Sequence, residues 1–494
     1  VINAGAQNLI EVLEASDQLE AALDTTLMDL ATWVRRTSSK CTADVVAADL
    51  RADMLGPEPT GEISMFVKNE FHLNYRHGVP VKESAPRVIS DRAKADKVCT
   101  LHSVPAITAV IKACLPEYAS SRSPADMEGR VTEVLTELGD GAEAITSDYS
   151  RMDGNTSYYL KRSVARVYMW VMERLAARSP DPHVADAIRE LAMALNARQH
   201  SRCRAPYSRN RVVDAAMKGF GIEAYISGTV GSGDMDTTLG NFVANAMVYF
   251  TACKNLGLVR ERDVFGNMAG DDGLTIGAPA ALDLLGPEME RVAGCMGMTL
   301  QVDRTVFRGH GPRAQFCSRV FLAYDDPHLK VKSIRLLSRA LVRFGHTTQV
   351  DMGCSLGLLR AKALSELTWA SGVPVVQALF TGTLARGDVS KAKLRLDDDT
   401  TYRLLEGVDP TMWVMGRTGS TRSRKRGLAA KVAGRVPTHF VEPSVALRHA
   451  FAEYTGISPG LQQQLEGYLE ARARVPYAYI PDDTVHGLIR DEWL

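Results

Sequence analysis

The chain lacks a charge imbalance, a metal-type cysteine pair and a membrane-length apolar run, and each absence removes a class of protein. Lys+Arg and Asp+Glu both number 58, so any attraction for a polyanion must come from uneven placement of charge. The eight cysteines are scattered without a C-x-x-C pair. That argues against a disulfide framework or a zinc site, and for reduced thiols in a cytosolic compartment. No apolar stretch reaches the ~18 residues that a bilayer-spanning helix needs. There are no internal repeats and no long low-complexity tract. The first residues, Val1-Ile2-Asn3-Ala4-Gly5, hold neither an initiator Met nor a signal pattern. The chain is therefore expected to be part of a longer polypeptide, and any membrane attachment would come through a segment outside it.

What is present is an ordinary globular composition, 45% apolar and 23% charged over 494 residues, enough for two or three domains. Leu9, Ile10, Val12 and Leu13, then Leu19, Leu23 and Leu27, predict amphipathic helices. Ile63 to Arg92 reads as extended and basic. A short buried strand is expected at Glu143 to Asp148, and helices at Leu160 to Leu175, His183 to Ala197 and Asp236 to Leu256. Met268-Ala269 before, and Leu274-Thr275-Ile276 after, Gly270-Asp271-Asp272-Gly273 predict a hairpin with an acidic tip, because Asp-Gly is a turn signal. Phe316 to Phe321 reads as a strand, and the chain beyond Lys330 as mostly helical. Seven Arg and Lys residues fall between Gly416 and Arg435 with no acid among them.

Three stretches carry chemistry. Asp148 in Ser147-Asp-Tyr-Ser-Arg-Met-Asp153 and Asp271-Asp272 at the hairpin could share divalent ions. Between them, Gly231-Ser232-Gly233 with Thr237 and Asn241 supply a yielding turn and short polar side chains. Phosphoryl transfer needs positioning and charge neutralisation more than covalent work by the protein. Two Mg²⁺ ions ~3.5–4 Å apart, held by oxygen ligands, provide both. Gly-Asp-Asp alone would occur by chance in roughly one chain in ten of this size. Only the ordered combination carries weight.

Those residues match a family pattern. Asp148…Asp153, Ser232-Gly233-x-x-x-Thr237-x-x-x-Asn241 and Gly270-Asp271-Asp272 resemble motifs A, B and C of positive-strand RNA virus RNA-dependent RNA polymerases. The wording of motif A is most like the nodavirus and tombusvirus-like groups. The resemblance implies an α+β right-hand fold of fingers, palm and thumb, with an antiparallel palm sheet backed by helices. It implies nucleotidyl transfer from NTPs to RNA on an RNA template, with two Mg²⁺ (or Mn²⁺) ions. Asp148, Asp271 and Asp272 would be catalytic and metal-holding, with the Tyr149 carbonyl a further ligand. Asp153, Thr237 and Asn241 would select the ribose, since telling RNA from DNA requires contact with a 2′-hydroxyl. Gly231, Ser232 and Gly233 would form the loop that moves with the template.

Upstream, Lys68 and Pro86-Arg87-Val-Ile-Ser-Asp-Arg92 resemble motif F, with Lys68, Arg87 and Arg92 on the triphosphate. Downstream, Cys317, Ser318 and Arg319 resemble motif E, the grip on primer or product, with Cys317 a packing residue rather than a nucleophile. The chain departs from the family at motif D, whose usual lysine is missing: no lysine lies between Asp272 and Lys330. His310 and Arg304 are the nearby general-acid candidates, and His310 is the one that titrates usefully. The division expected from the motifs is fingers 1–146 (motif F about 65–92), palm 147–175, fingers 176–226, palm 227–330, and thumb with a C-terminal extension 331–494. The implied setting is the host cytoplasm at membrane-associated replication sites. Two alternatives stay open: a reverse transcriptase, and a noncatalytic RNA-binding replication protein.

Overall fold

The computed structural model describes residues 1–38, 63–67, 75–76, 79–80, 88–92, 94–200 except 121 and 140, 203–205, 224–226, 230–337 except 232–233 and 310, 340, 344, 355–405 and 421–473. The chain begins with helices α1 (Ile2–Glu14) and α2 (Leu19–Ser38), a strand pair β1 (Ile63–Val67) and β2 (Val88–Arg92), and helices α3 (Lys94–Cys114) and α4 (Pro124–Leu138). Strand β3 (Glu143–Tyr149) follows, then α5 (Tyr158–Arg178), α6 (Pro182–His200) and α7 (Thr237–Leu256). The hairpin β4 (Val264–Ala269) and β5 (Asp272–Gly277) leads to α8 (Pro279–Cys295) and β6 (Leu300–Thr305). Strands β7 (Gln315–Phe316), β8 (Arg319–Asp325) and β9 (Leu329–Arg335) precede a helical part that includes α9 (Leu356–Ala370), α10 (Val376–Ala385), α11 (Thr421–Ala433), α12 (Val445–Thr455) and α13 (Pro459–Ala473).

Two compact units form, and each is built from three separate stretches of chain. The first takes residues 1–68, 85–120 and 145–303. Its centre is a sheet in the order β6-β3-β5-β4. Strands β4 and β5 pair antiparallel from Val264↔Gly277 to Ala269↔Asp272. The β3–β6 contacts run Ser150 to Thr299, Thr146 to Asp303 and Ala144 to Thr305, so these strands also oppose each other. Helix α7 is buried on every side from Leu239 to Cys253, the mark of a core helix rather than a surface one. It packs against α1, α5, α8 and β4. Tyr118 meets Phe242 edge-on at 4.8 Å between ring centres. The chain at Glu117 to Ala119 adds to the outer edge of β4, through Met268 N–H to Glu117 O (2.7 Å) and Ala119 N–H to Met268 O (2.8 Å).

The second unit takes residues 69–84, 121–144 and 304–494. Here β7, β8 and β9 make a three-stranded sheet, antiparallel throughout, with α4 packed on β9. A capping box fixes the start of α4: Ser123 Oγ accepts from Asp126 N–H at 3.1 Å and Asp126 returns the bond at 3.0 Å. Farther along α4, Glu128 accepts both Ser333 N–H and Ser333 Oγ–H at 2.9 Å. The buried Glu366 carboxylate receives Arg335 (2.7 and 2.8 Å), Trp369 Nε1–H (2.7 Å) and Arg403.

The compact units cut across the motif-based division. Helices α1 and α2 pack with α5 and α7 beside the sheet, whereas residues 121–144 and 304–330 group with the helical C-terminal part. The basic tract is not a continuous loop: residues 421–433 form α11, held by buried Ala429 and Ala433.

Candidate active site

Strand β3 ends at the acidic hairpin. Ser147 stands against Gly273, where a side chain would collide with the serine hydroxyl. Two residues farther along β3, the Tyr149 hydroxyl reaches the Gly270–Asp271 turn through Asn245. The contacts advance on β3 while they retreat on the hairpin, so β3 and β5 are antiparallel. Asp148 lies between these two contacts and its side chain is exposed, while Asp271 and Asp272 are half-buried. Three carboxylates predicted from distant stretches thus belong to neighbouring strand ends.

The hairpin turn sits earlier than the Asp-Gly pair suggested. Gly270 and Asp271 are its central residues, and Asp272-Gly273 already belong to β5. Gly270 has φ +66°, a left-handed value at the first turn position that a side chain disfavours, as in type II′ hairpins.

Motif A continues into the one-turn helix Met152–Asn155, entered through Arg151 at φ +50°. This turn brings Asp153 to α7, where Asn241 Nδ2 donates to Asp153 Oδ1 at 2.8 Å. Asn241 is 4% exposed. The Asp153 carbonyl accepts Val230 N–H at 2.9 Å, which ties the start of the Gly231 loop to motif A. Thr237 plays a different part from the one expected. Its hydroxyl bonds the carbonyls of Gly231 (2.7 Å) and Asp234 (2.9 Å), so it braces the loop's own backbone rather than presenting itself beside Asp153. Gly231 N–H in turn donates to Asp234 Oδ2 at 3.3 Å.

Other expected residues fall as follows. Lys68, Arg87, Ser232, Gly233 and His310 lie outside the described residues. Arg92 ends β2, opposite Ile63. Arg304 is bound by Glu143 at 2.5 Å, at the start of β3. Five residues of strand, ~16 Å, separate Glu143 from Asp148. Cys317 and Ser318 do not continue a strand. They form a two-residue turn between Phe316 and Arg319 with φ +51° and +61°, both positive as type I′ requires. Cys317 is exposed at that turn, not packed, and Arg319 is buried.

Two residues with a direct part in this geometry escaped the sequence reading: the Tyr149 side chain and Asn245. Tyr149 is 3% exposed, and Asn245 is fully buried. Burial first, and then the negative charge of Asp271, raise the Tyr149 pKa far above its usual value, so the phenol stays protonated. The signal was available: Asn245 follows Asn241 by one helical turn and therefore shares its face. Among the described residues no three His, Cys, Asp or Glu side chains are grouped as a ready metal cage.

An antiparallel sheet with an acidic strand end beside an acidic hairpin, in a mixed helix–strand body, fits a viral polymerase domain. Residues 186–474 match the family described as viral RNA dependent RNA polymerase, more than half of the chain, and the chain belongs to that family. It is also 27% identical over 238 residues to the RNA-directed RNA polymerase of Black beetle virus, a nodavirus. That alignment covers 47% of this chain and 20% of the relative, so the chain spans about a fifth of that protein's length. The family match begins after Asp148 and Asp153, and the sheet order and the Asn241–Asp153 bond join those residues to the matched part.

Proposed function

We propose that the chain is the catalytic part of an RNA-dependent RNA polymerase, copying template RNA from NTPs with release of pyrophosphate. The observation that carries this reading is β3 lying beside β5, with Asp148 next to the Asp271–Asp272 hairpin. The oxygen-rich donor set suits Mg²⁺ or Mn²⁺. Without a closed cage of protein ligands, Asp148, Asp271 and Asp272 would hold such ions jointly with substrate phosphates, the usual Mg²⁺ habit. When bound, the ions lower the pKa of the attacking 3′-hydroxyl and neutralise the triphosphate.

The chain's own residues do the rest. Asp153 and Asn241, bonded to each other, form the polar pair assigned to meet a 2′-hydroxyl, which both donates and accepts. A deoxyribose would leave those groups unpaired, and that penalty rejects it. Such a pair speaks against the reverse-transcriptase alternative. Thr237 holds the Gly231 loop in its folded form while Asp153 anchors its start. Lys68, Arg87 and Arg92 are assigned to the triphosphate, and Cys317, Ser318 and Arg319 to the product strand, on the strength of the motif resemblance. The right-hand division into fingers, palm and thumb belongs to the same proposal, as does replication at a host membrane through a segment outside this chain. Among the described residues no helix is long and apolar enough to cross a membrane.

The test is primer extension on an RNA template with Mg²⁺, comparing wild type with Asp148→Ala and Asp271→Ala. Each substitution is expected to lower the rate by roughly 10³-fold, as loss of a charge-stabilising group does. Wild-type rates in both variants, or equal incorporation without template, would refute the reading.

A further inference from the structure

The Tyr149 hydroxyl and the Asn245 amide are buried beneath the acidic hairpin, and no step described above uses them. Tyr149 Oη donates to Asn245 Oδ1 at 3.2 Å. Asn245 Nδ2 donates to the carbonyls of Gly270 at 3.3 Å and Asp271 at 3.4 Å. A carboxamide has one acceptor oxygen and two donor hydrogens, and all are engaged here. Turning the amide over would aim its oxygen at two carbonyl oxygens, so one orientation is fixed. The hydroxyl that fixes it belongs to the residue immediately after Asp148. The carbonyls it controls belong to the turn that carries Asp271.

We propose that Tyr149 and Asn245 are positioning residues that set the Asp271 carboxylate relative to Asp148 by holding the hairpin turn to the end of β3. The inference rests on the polymerase reading given above. Groups that orient the residues holding a metal tune its affinity by ~10–100-fold without touching it. A buried amide whose oxygen and both N–H groups are engaged is also rigid, because rotation leaves a polar group unsatisfied.

The molecule supplies its own control. Tyr249 lies one turn farther along α7, is equally buried, and donates its hydroxyl to the Val264 carbonyl at 3.4 Å. Val264 is at the other end of the hairpin, paired with Gly277. Tyr249 bonds one end of the hairpin directly, Tyr149 reaches the other through Asn245, and only that second end carries the acids.

The experiment compares wild type, Tyr149→Phe, Tyr249→Phe, Asn245→Ala and the double variant Tyr149→Phe/Asn245→Ala in single-nucleotide incorporation on a primed RNA template. Melting curves with and without Mn²⁺ accompany the kinetics. Tyr149→Phe is expected to lower kcat about tenfold with KM for the NTP within twofold, and to raise half-saturating Mg²⁺ about tenfold. The Mn²⁺-induced rise in melting temperature should shrink by at least half. Tyr249→Phe should lose a similar amount of metal-free stability while keeping kcat, metal requirement and Mn²⁺ shift within twofold of wild type. The double variant should be no slower than Asn245→Ala. Equal behaviour of the two tyrosine variants would overturn the inference. If wild type incorporates nothing, the polymerase reading fails on that result, and the Mn²⁺ melting shift alone then decides the positioning inference. A shift unchanged in Tyr149→Phe, or absent from wild type, sinks it.

Discussion

Replacing Asn241 with alanine should erode the choice between ribose and deoxyribose, and the size of the effect follows from one bond. Asn241 Nδ2 donates to the Asp153 carboxylate at 2.8 Å, and the amide is 4% exposed. A hydrogen bond to a charged group contributes about 1.5–3 kcal/mol, or about tenfold to a hundredfold in an equilibrium or rate ratio. Removing the amide also removes an oxygen that could meet a 2′-hydroxyl and takes away the bond that orients the Asp153 carboxylate. The ratio of kcat/KM for UTP to that for 2′-deoxy-UTP should therefore fall about 10–100-fold. Most of the fall should come from slower use of UTP, since the deoxynucleotide never had the contact to lose. Asn241→Asp should be worse, because it sets a second carboxylate against Asp153. Single-turnover incorporation opposite one template adenine reads both substrates. A ratio within twofold of wild type, or an equal fall for both nucleotides, would refute the sugar-sensing role and leave Asn241 as a structural tie.

Three other outcomes follow from the fold. Gly273→Ala would set a methyl group against Ser147 Oγ, and overpacking of this kind costs about 1–3 kcal/mol. Ser147→Ala should restore most of that loss, since the remaining Ser147 Cβ lies at an ordinary 3.5 Å; thermal denaturation of the single and double variants checks this. Cys317→Asn with Ser318→Gly should raise Tm by about 1–2 °C, because both positions have positive φ and a gain of about 1 kcal/mol is expected from residues that tolerate it; an unchanged or lower Tm would contradict the turn assignment. Burial pushes the His102 pKa down to about 4, below the value near 6.5 of an unfolded histidine. The unfolded chain therefore takes up the proton first. Stability should be level above pH ~6.5 and fall by at most about 3 kcal/mol as pH drops towards 4, and urea melts of His102→Gln should show a flatter slope over that range.

Much of the site could be read from the sequence because its chemistry is written in short local words. Asp148 closes a short apolar run and Asp271 and Asp272 sit at a marked turn signal, and the Asp236 to Leu256 periodicity located α7 to within a residue of its start. What escaped has physical causes. Asn245 was passed over because α7 is buried on every side from Leu239 to Cys253, so its spacing from Asn241 did not say which neighbour it meets. The Tyr149 carbonyl drew notice through the motif, but its ring is turned inward, and only tertiary packing decides that. The turn at Cys317-Ser318 carries neither Asn nor Gly, so no turn chemistry marked it. Pairing of Arg304 with Glu143 links residues far apart in the chain and follows from the β3–β6 register, which local composition does not encode.

The interleaved make-up of the two units sets the order in which the molecule can be completed during synthesis. Helix α1 leaves the ribosome roughly 200 residues before α7, one of the helices it packs against, has been made. At translation rates of about 5–20 residues per second, its apolar face waits some 10–40 s for that partner. Residues 121–144, meanwhile, await strands that come after residue 304. Each body draws on stretches far apart in the chain, so neither is complete until its last stretch has been made.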